Sequence, residues 1–172
     1  MTEKAAAGVR LDVRGRGVAH VETGLPVLNS LLSRLAETAR FNLVLDIEPG
    51  DAEAEVDAAA AAFGAALTRP LRADDARGYG SESLASAEAV AHVVLERSDE
   101  PLFVTNVDLT DARIAGLGTD VARRFLETLA GHAGLVLHVR LVDGTDSAHV
   151  LEAIFKALGA ALAQACEPIG EN

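Results

Sequence analysis

A histidine, a glutamate and a lysine follow one another at helical spacing near the end of the chain. His149, Glu152 and Lys156 lie three and four residues apart, so a helix through this stretch places all three side chains on one face. An imidazole nitrogen and a carboxylate on one helix face can bind the same metal ion, and a neighbouring ammonium group can bind phosphate. The stretch therefore indicates a metal and phosphate site, or the remnant of one.

Each of these side chains also has an ordinary structural interpretation. A stable transition-metal site needs about four to six donors, and the whole chain has 5 histidines. His138, inside the apolar stretch "GLVLHVRL", is typical of a hydrogen-bonded structural histidine, and His132, at a predicted helix end, is expected to face the last-turn carbonyls. Lys156 can form an ion pair with Glu152 at i+4. For His149 and Glu152, a solvated helix start is as good an interpretation as metal binding.

Composition and charge exclude several classes of partner. The chain has 172 residues and a formal net charge of −11, which disfavours nucleic-acid backbones and acidic membrane surfaces. The single cysteine, Cys166, excludes an intrachain disulfide and is typical of a reducing compartment. The first residues carry no signal-peptide pattern, and no stretch has the length of uninterrupted apolar residues that a membrane span requires. We therefore expect a cytoplasmic protein.

The chain repeats itself at a spacing of about 94 residues. The segment "TGLPVLNSLLSRLAETARFNLVLDI" matches "LGTDVARRFLETLAGHAGLVLHVRL", and both carry a helical stripe followed by an apolar strand. At a spacing that is one residue longer, "VDAAAAAFGAAL" matches "LEAIFKALGAAL". The order predicts one α+β domain over residues 1–172, made of two related halves at about 9–84 and 85–167, each with a helix pair on a mixed sheet. Asp57 falls where Glu152 lies in the second half.

Turn residues and alternation predict the remaining elements. "VRLDVRGRGVAHVET" in the first half and "AVAHVVLERSDEPLFVTNVDLT" in the second alternate between apolar and polar residues and are broken by turn signals, so each is expected to form a hairpin. The polar, glycine-containing segment "TRPLRADDARGYGSESLASAEA" is expected to contain the link between the halves.

The order of these segments resembles the imidazoleglycerol-phosphate dehydratase family. "TGLPVLNSLLSRLAETARFNL" is similar to the family's T-G-I-G-F-L-D-H-M-L stretch, and "LVLHVRLVDGTDSAHVLEAIFKAL" is similar to L-H-V-R-L-L-Y-G-x-N-x-H-H-x-x-E-A-x-F-K-A. The resemblance extends from about residue 9 to residue 165. It implies a duplicated α+β fold of the ribosomal protein S5 domain 2-like type, an assembly of commonly twenty-four subunits with sites at the interfaces, and two manganese ions that bind the imidazole of the substrate.

The family's site residues are largely replaced in this chain. Of a family histidine pair, Ala148 replaces the first and His149 keeps the second, whereas Glu152, Lys156 and Glu88 match family residues. The other departures are Ser30 and Thr38 for histidines, Glu53 and Ala54 for a histidine pair, Asp57 for a glutamate, Ala87 for an aspartate, and Gly78 and Glu100 for phosphate-binding arginines. The family's C-terminal serine and lysine loop has no counterpart in "EPIGEN". The resemblance leaves His149, Glu152, Glu88 and Asp57 as a metal remnant and Lys156 as a phosphate remnant.

The pattern of loss predicts a divergent homologue that is catalytically inactive. It is expected to keep the fold and a homo-oligomer, of up to 24 subunits in the family, with a structural or regulatory role that includes co-assembly with an active paralogue. No cofactor is expected, except manganese if the remnant site still binds a metal ion. Two alternatives are an enzyme that uses the reduced site on another small molecule, and residual dehydratase activity in histidine biosynthesis.

Overall fold

The computed structural model describes residues 7–108, 113–114 and 117–169, and within them it has nine strands and four helices. In chain order these are β1 (Ala7–Asp12), β2 (Ala19–Glu22), α1 (Pro26–Ala39), β3 (Asn42–Ile47), α2 (Ala52–Leu71), β4 (Tyr79–Ser86), β5 (Ala89–Arg97), β6 (Leu102–Thr105), β7 (Arg113–Ile114), β8 (Leu117–Gly118), α3 (Thr119–Ala133), β9 (Leu135–Asp143) and α4 (Ser147–Cys166).

The two larger sheets share one strand pattern. β3 lies between β1 and β2, antiparallel to β1 and parallel to β2. β9 lies between β5 and β6 in the same way, and β4 adds an outer strand antiparallel to β5. β7 and β8 pair separately. Apart from β4, β7 and β8, both halves have the order strand, strand, helix, strand and helix, which confirms the predicted α+β fold with two related halves.

The predicted hairpins before the first helix of each half are wrong. β1 and β2 do not pair with each other, because the strand that follows α1 inserts between them, and β9 separates β5 from β6 likewise. Alternation of apolar and polar residues indicates a strand with one buried face but does not identify its neighbour. A hairpin does form between β4 and β5, and its two turn residues are Ala87 and Glu88.

The predicted link between the halves is shorter than the polar segment suggested. Residues 68–71 complete α2 and residues 79–86 form β4, so only residues 72–78 connect them. The predicted boundary near residue 84 falls inside β4, which belongs to the second sheet by its pairing with β5. β4 is polar because it is an edge strand with alternate serines exposed to solvent.

The apolar stripes predicted for α1 and α3 form the core. The fully or nearly fully buried members are Leu31, Leu32, Leu35, Phe125, Leu126 and Leu129. Val27 and Val121, at the helix starts, are only partly buried. The prediction of the two helical stripes is therefore confirmed, with their first positions at the rim of the core.

The helices pack in pairs that join the two halves. α1 packs on α4 and α2 packs on α3. The repeated glycines explain how close these pairs are. A Cβ on Gly159 would lie 2.4 Å from the Leu35 carbonyl oxygen, and a Cβ on Gly64 would lie 2.8 Å from the His132 Cβ and 3.2 Å from the Leu129 carbonyl oxygen. Leu35 and Leu129 are themselves equivalent in the duplication, so the two helix pairs have equivalent contacts.

Among the described helices, α4 alone is long and apolar enough to cross a membrane, but 67% of that segment is buried inside the fold. This burial is the pattern of a core helix.

The start of α4 is capped by Asp146, whose carboxylate accepts hydrogen bonds from the amides of Ala148 at 3.0 Å and His149 at 3.2 Å.

Candidate functional site

The β4–β5 turn brings Glu88 against the start of α4. One carboxylate oxygen of Glu88 accepts a hydrogen bond from His149 Nδ1 at 2.6 Å, and the other accepts from the amides of Asp146 at 3.0 Å and Thr145 at 3.4 Å. The Asp146 amide bond is the largest of several effects that lower the pKa of Glu88 to about 2. The hydrogen bond between Glu88 and His149 raises the pKa of His149. The structure thus brings together two of the predicted residues as a hydrogen-bonded pair.

Glu152 lies one turn further along α4, and both of its carboxylate oxygens are engaged. One oxygen accepts a hydrogen bond from the hydroxyl of Ser86, which is buried at the end of β4, and the other accepts from Arg34 Nε at 3.0 Å. The Ser86 hydrogen bond, followed by the charge of Arg34, lowers the pKa of Glu152. The carboxylate is therefore ionised and neutralised by an arginine of α1.

Lys156 does not form the expected ion pair with Glu152. Its ammonium group donates a hydrogen bond to the Ala85 carbonyl oxygen at 2.7 Å, on the strand β4. The i+4 spacing permitted a contact with Glu152, but Arg34 and Ser86 already occupy the carboxylate oxygens. The role of Lys156 in phosphate binding stays a prediction.

Asp57 lies elsewhere, in the cleft between α2 and α3. Arg124 Nε and an Arg124 terminal nitrogen donate to its two carboxylate oxygens at 2.8 and 2.9 Å. This two-pronged contact lowers the pKa of Asp57 and raises that of Arg124. Glu53 is a second acid near the same guanidinium, at 3.8 Å. The structure does not bring Asp57 into the group that contains His149 and Glu152.

A cleft of about 340 Å³ opens between the starts of α1 and α4. Its walls include the apolar side chains of Val27, Leu31 and Leu151, with Ser30, His149 and Glu152 as polar members. Ser30 and Ala148, which replace family histidines, both line it. We call this the α1–α4 cleft, and the second surface, which contains Asp57 and Arg124, the α2–α3 cleft.

The other histidines lie on different surfaces. His132 Nδ1 is 3.1 Å from the Thr128 carbonyl oxygen, which confirms the helix-end interpretation. His92, on β5, lies between two serine hydroxyls, and His20 lies on β2 in the first sheet. His138 is on the outer face of the second sheet, because its strand neighbours Leu137 and Val139 point into the core. None of these four lines the α1–α4 cleft.

The described residues of one chain do not gather the donors of a manganese site, which the family resemblance implies at subunit interfaces. Within residues 7–108, 113–114 and 117–169 no group of three or more histidine, cysteine, aspartate or glutamate side chains could hold a metal ion. The Arg34 guanidinium contacts the carboxylate of Glu152 where a second cation would be repelled. Whether the protein binds metal stays a prediction.

Sequence reasoning missed three side chains that determine this geometry, namely Arg34, Ser86 and Arg124. The duplication held a signal for one of them, because Arg124 is the counterpart of Ser30, a position that the family resemblance had marked. Arg34 lies one helical turn after Ser30 on α1. Ser86 had no signal, since its partner Glu152 is 66 residues away in the chain.

Comparison with known proteins places this arrangement in one family. The family model for imidazoleglycerol-phosphate dehydratase matches residues 23–162. An imidazoleglycerol-phosphate dehydratase of Cereibacter sphaeroides is 34% identical over 97% of this chain and 88% of its own length. The chloroplastic protein of that name from Pisum sativum is 33% identical over 97% of this chain and 61% of its own length. The crystal structure of the Staphylococcus aureus protein of that name aligns with a TM-score of 0.86 and 23% identity, covering 94% of each chain.

Proposed function

The chain belongs to the imidazoleglycerol-phosphate dehydratase family, and from this membership we propose that it is a divergent, catalytically inactive member that keeps the fold for a structural or regulatory role. The named relatives carry the name of the enzyme. The proposal therefore depends on what the residues of this chain can and cannot do.

The observation that carries the proposal is the pairing of Glu152 with Arg34. A metal-binding carboxylate needs a free oxygen and an environment without competing cations. Both oxygens of Glu152 are hydrogen-bonded, one of them to a guanidinium. His149 is held by Glu88, and the neighbouring cleft residues Ser30 and Ala148 supply no imidazole. Glu152 therefore already has a cation as its partner, and the α1–α4 cleft offers few metal donors.

The positions implied for phosphate binding support the same proposal. Glu100 is exposed and negatively charged, which repels phosphate. Gly78 has no side chain, and the space beside it is occupied by Arg97, which donates a hydrogen bond to the Leu71 carbonyl oxygen at 2.9 Å. Lys156 is engaged with Ala85. The dehydration of imidazoleglycerol phosphate would have to proceed without the phosphate contacts that the family resemblance implies.

A turnover assay tests the proposal directly. The purified chain is incubated with manganese and imidazoleglycerol phosphate beside the Staphylococcus aureus relative, prepared in the same way. We expect no product from this chain under conditions in which the relative turns over fully. Turnover at a rate within tenfold of the relative would contradict the proposal and would favour retained dehydratase activity.

Metal content by elemental analysis, after dialysis against manganese, tests the loss of the metal site separately. The His149→Ala variant is the matched control, because it removes the one imidazole in the α1–α4 cleft. We expect less than one ion per chain in both proteins. One or two ions per chain that are lost in His149→Ala would mean that a working site survives.

The size of the α1–α4 cleft favours a second candidate function, an enzyme that acts on another small molecule. Its volume of about 340 Å³ and its mixture of apolar walls with His149 and Glu152 are typical of small-molecule sites. A thermal-shift screen of small metabolites, repeated with Leu31→Ala, tests this candidate. A compound that stabilises the parent chain but not the variant would support it.

In this role the chain forms a homo-oligomer in the cytoplasm. For a regulatory role, it assembles together with an active paralogue. Exposed valines on the outer faces of both sheets, such as Val44, Val94 and Val104, support the oligomer. Light scattering after size-exclusion chromatography gives the number of subunits. A monomer at all concentrations would contradict the oligomer.

A further inference from the structure

The duplication explains why a space opens between the starts of α1 and α4. Ser30 on α1 and Arg124 on α3 are equivalent, since they lie at the repeat spacing of about 94 residues. Arg124 reaches across to α2, where its guanidinium contacts Asp57 at 2.8 Å and Glu53 at 3.8 Å. The serine at the same place in the other half is too short for such a contact. The space that an arginine bridges in one half is therefore open in the other.

The two clefts accordingly lie at different levels of their helix pairs. The α1–α4 cleft lies at the helix starts, and the residues that line it all belong to α1 or α4. The α2–α3 cleft lies further along its helices, with Ala61, Thr128 and His132 in its walls. The α1–α4 cleft is thus built by two described helices alone, and its volume of about 340 Å³ is enough for a small organic molecule.

The carboxylate in the α1–α4 cleft already has its partners. Glu152 accepts hydrogen bonds from Arg34 and Ser86. The positive charge of Lys156 also acts on this carboxylate, and Arg34 in turn bonds the exposed Glu37 at 3.1 Å. Two carboxylates and two cations therefore form one cluster without a formal net charge. A charged ligand would have to displace one of these groups or leave its own charge unpaired on burial.

The imidazole in the cleft is matched in a similar way. Nδ1 of His149 is bonded to Glu88 at 2.6 Å, so a protonated ring is balanced by this carboxylate and a neutral ring carries no charge. The contact leaves Nε2, which has no hydrogen-bond partner among the described residues, as the ring atom available to a ligand. The Ser30 hydroxyl has no partner within that part of the chain either. The lining thus offers two hydrogen-bonding groups and no uncompensated charge.

The remaining walls of the cleft are apolar. Leu31 on α1 and Leu151 on α4 line it, and both belong to the core, with 7% and 1% exposure. Val27, at the start of α1, adds a partly buried side chain. Core packing holds these side chains in place, so a ligand meets walls that are already formed. Contact with them would remove apolar surface from water, which is a source of binding free energy.

We propose that the α1–α4 cleft binds an uncharged small organic molecule, with an amide, carbonyl or hydroxyl group placed between Ser30 and His149 and an apolar body against the helix walls. A serine hydroxyl and an imidazole nitrogen can hydrogen-bond any of these groups. The inference rests on the proposed loss of the metal centre, because a metal ion would compete for the same ring nitrogen. A molecule in the cleft contacts one helix from each half, so its binding stabilises the packing of the halves and gives the regulatory role a ligand.

Three compounds of similar shape and different charge provide the probe, namely benzamide, benzoate and benzylamine. Each is titrated into the full chain in the presence of EDTA, and the amide chemical shifts are followed by nuclear magnetic resonance. We expect benzamide to shift the starts of α1 and α4 and to bind at least fivefold more tightly than the two charged compounds, whose charges find no free partner. Turnover is measured with manganese and this binding without it, so the present proposal and the proposed inactivity can fail independently.

Arg34→Met tests the charge argument, because it leaves Glu152 without its guanidinium partner. Benzylamine should then bind at least fivefold more tightly than it binds to the parent chain, while the affinity for benzamide changes less than twofold. Arg140→Met is the matched control, since it removes an exposed arginine from the outer face of the second sheet. The control should leave the affinity for all three compounds unchanged.

Ser30→Arg tests the location, because it introduces the side chain that bridges the equivalent place in the other half. It should abolish the binding of benzamide. Ser83→Arg, at an exposed serine of β4, is the matched control and should bind benzamide as the parent chain does. Ser30→Ala removes only the hydroxyl and should weaken the binding of benzamide about threefold. Urea unfolding of each variant shows that it is folded.

Several results would overturn the proposal. Equal affinity for the three compounds would mean that the cleft does not select an uncharged ligand. Benzamide binding that survives Ser30→Arg, or that shifts amides outside α1 and α4, would place the ligand elsewhere. Absence of benzamide binding up to its solubility limit would mean that the cleft holds no such ligand, and a changed number of subunits in Ser30→Arg would then identify a second copy as the occupant.

Discussion

The α1–α4 cleft and the α2–α3 cleft occupy equivalent places in the two halves, yet their acidic residues have different surroundings. Asp57 and its counterpart Glu152 each pair with an arginine of the partner helix. Glu152 is also bonded to the buried hydroxyl of Ser86, and the β4–β5 turn adds the contact between Glu88 and His149. The first sheet has no counterpart of β4 among the described residues. The extra strand and its turn therefore add two hydrogen-bonding partners, Ser86 and Glu88, to one cluster, whereas the other is an ion pair without them.

The closest backbone approaches give the largest expected difference between the two clefts. Gly159→Ala should lower the free energy of unfolding by about 2 kcal/mol, because its Cβ would meet the Leu35 carbonyl oxygen on the fixed backbone of α1. Gly64→Ala should cost about 1 kcal/mol or less, because its nearest contact is a Cβ and the gain in helix propensity offsets part of the strain. Urea denaturation of both variants gives the two values. Equal costs would mean that the two helix pairs are equally tight.

Removal of the two equivalent acids measures how much the hydrogen bond from β4 contributes. Glu152→Ala should destabilise the fold by about 1.5 kcal/mol, because it leaves the buried Ser86 hydroxyl without its acceptor as well as Arg34 without its partner. Asp57→Ala should cost about 0.5 kcal/mol, as is typical of an exposed ion pair. Chemical denaturation at neutral pH is the measurement. A larger cost for Asp57→Ala would remove the distinction between the clefts.

The His149–Glu88 pair beside the α1–α4 cleft should give pH-dependent stability near neutrality. The raised pKa of His149 means that its contribution is complete below the unfolded value of 6.5 and is lost as the pH rises through the folded value. The lowered pKa of Asp57 means that its contribution is complete above 3.8 and is lost only in acid. Between pH 5.5 and pH 8.5, His149→Gln should reduce the pH dependence of stability, as measured by urea unfolding at each pH.

Asp57→Asn is the control for this experiment, and it should leave the slope between pH 5.5 and pH 8.5 unchanged. A nuclear magnetic resonance titration of His149 checks the cause, because Glu88→Gln should return its pKa towards the ordinary value. An unchanged titration in Glu88→Gln would mean that the Glu88 contact does not raise the histidine pKa.

The smallest expected effect on stability concerns the β4–β5 turn, which is present beside the α1–α4 cleft. Ala87 has a φ of 51°, in the left-handed region that favours glycine. Ala87→Gly should therefore raise the free energy of unfolding by about 0.5 kcal/mol. Its match is Ala85→Gly on the same hairpin, at a residue outside that region, which should destabilise the strand. Destabilisation by Ala87→Gly would mean that the alanine side chain makes contacts that outweigh the strain.

Much of the fold followed from local patterns. The helical stripe of Leu31, Leu32 and Leu35 and its repeat in the second half predicted two of the helices, and the matching of Gly64 with Gly159 predicted the other two. The pairing of strands did not follow, because β3 inserts between β1 and β2 over a long distance in the chain. A period of two residues contains no information about which strand lies alongside.

The candidate site was predicted less completely than the fold. The resemblance identified Glu88 and His149 as separate residues 61 positions apart, and the structure joins them at 2.6 Å. The same reasoning grouped Asp57 with them by family position alone, and the structure places Asp57 in the other cleft. Position in a motif identifies the type of residue, whereas the direction of the side chain depends on the elements packed around it.

The sequence by itself determined the duplication and the apolar faces, because both are properties of residue type and spacing. Only the tertiary structure decided that arginines from the opposite helices neutralise Glu152 and Asp57, and that β4 supplies a partner to Glu152 but has no counterpart beside Asp57 among the described residues. The contact of Arg34 with Glu152 spans 118 residues of the chain. Such a contact forms only after the core has fixed both helices, since the free energy that aligns them comes from burial of the apolar stripes.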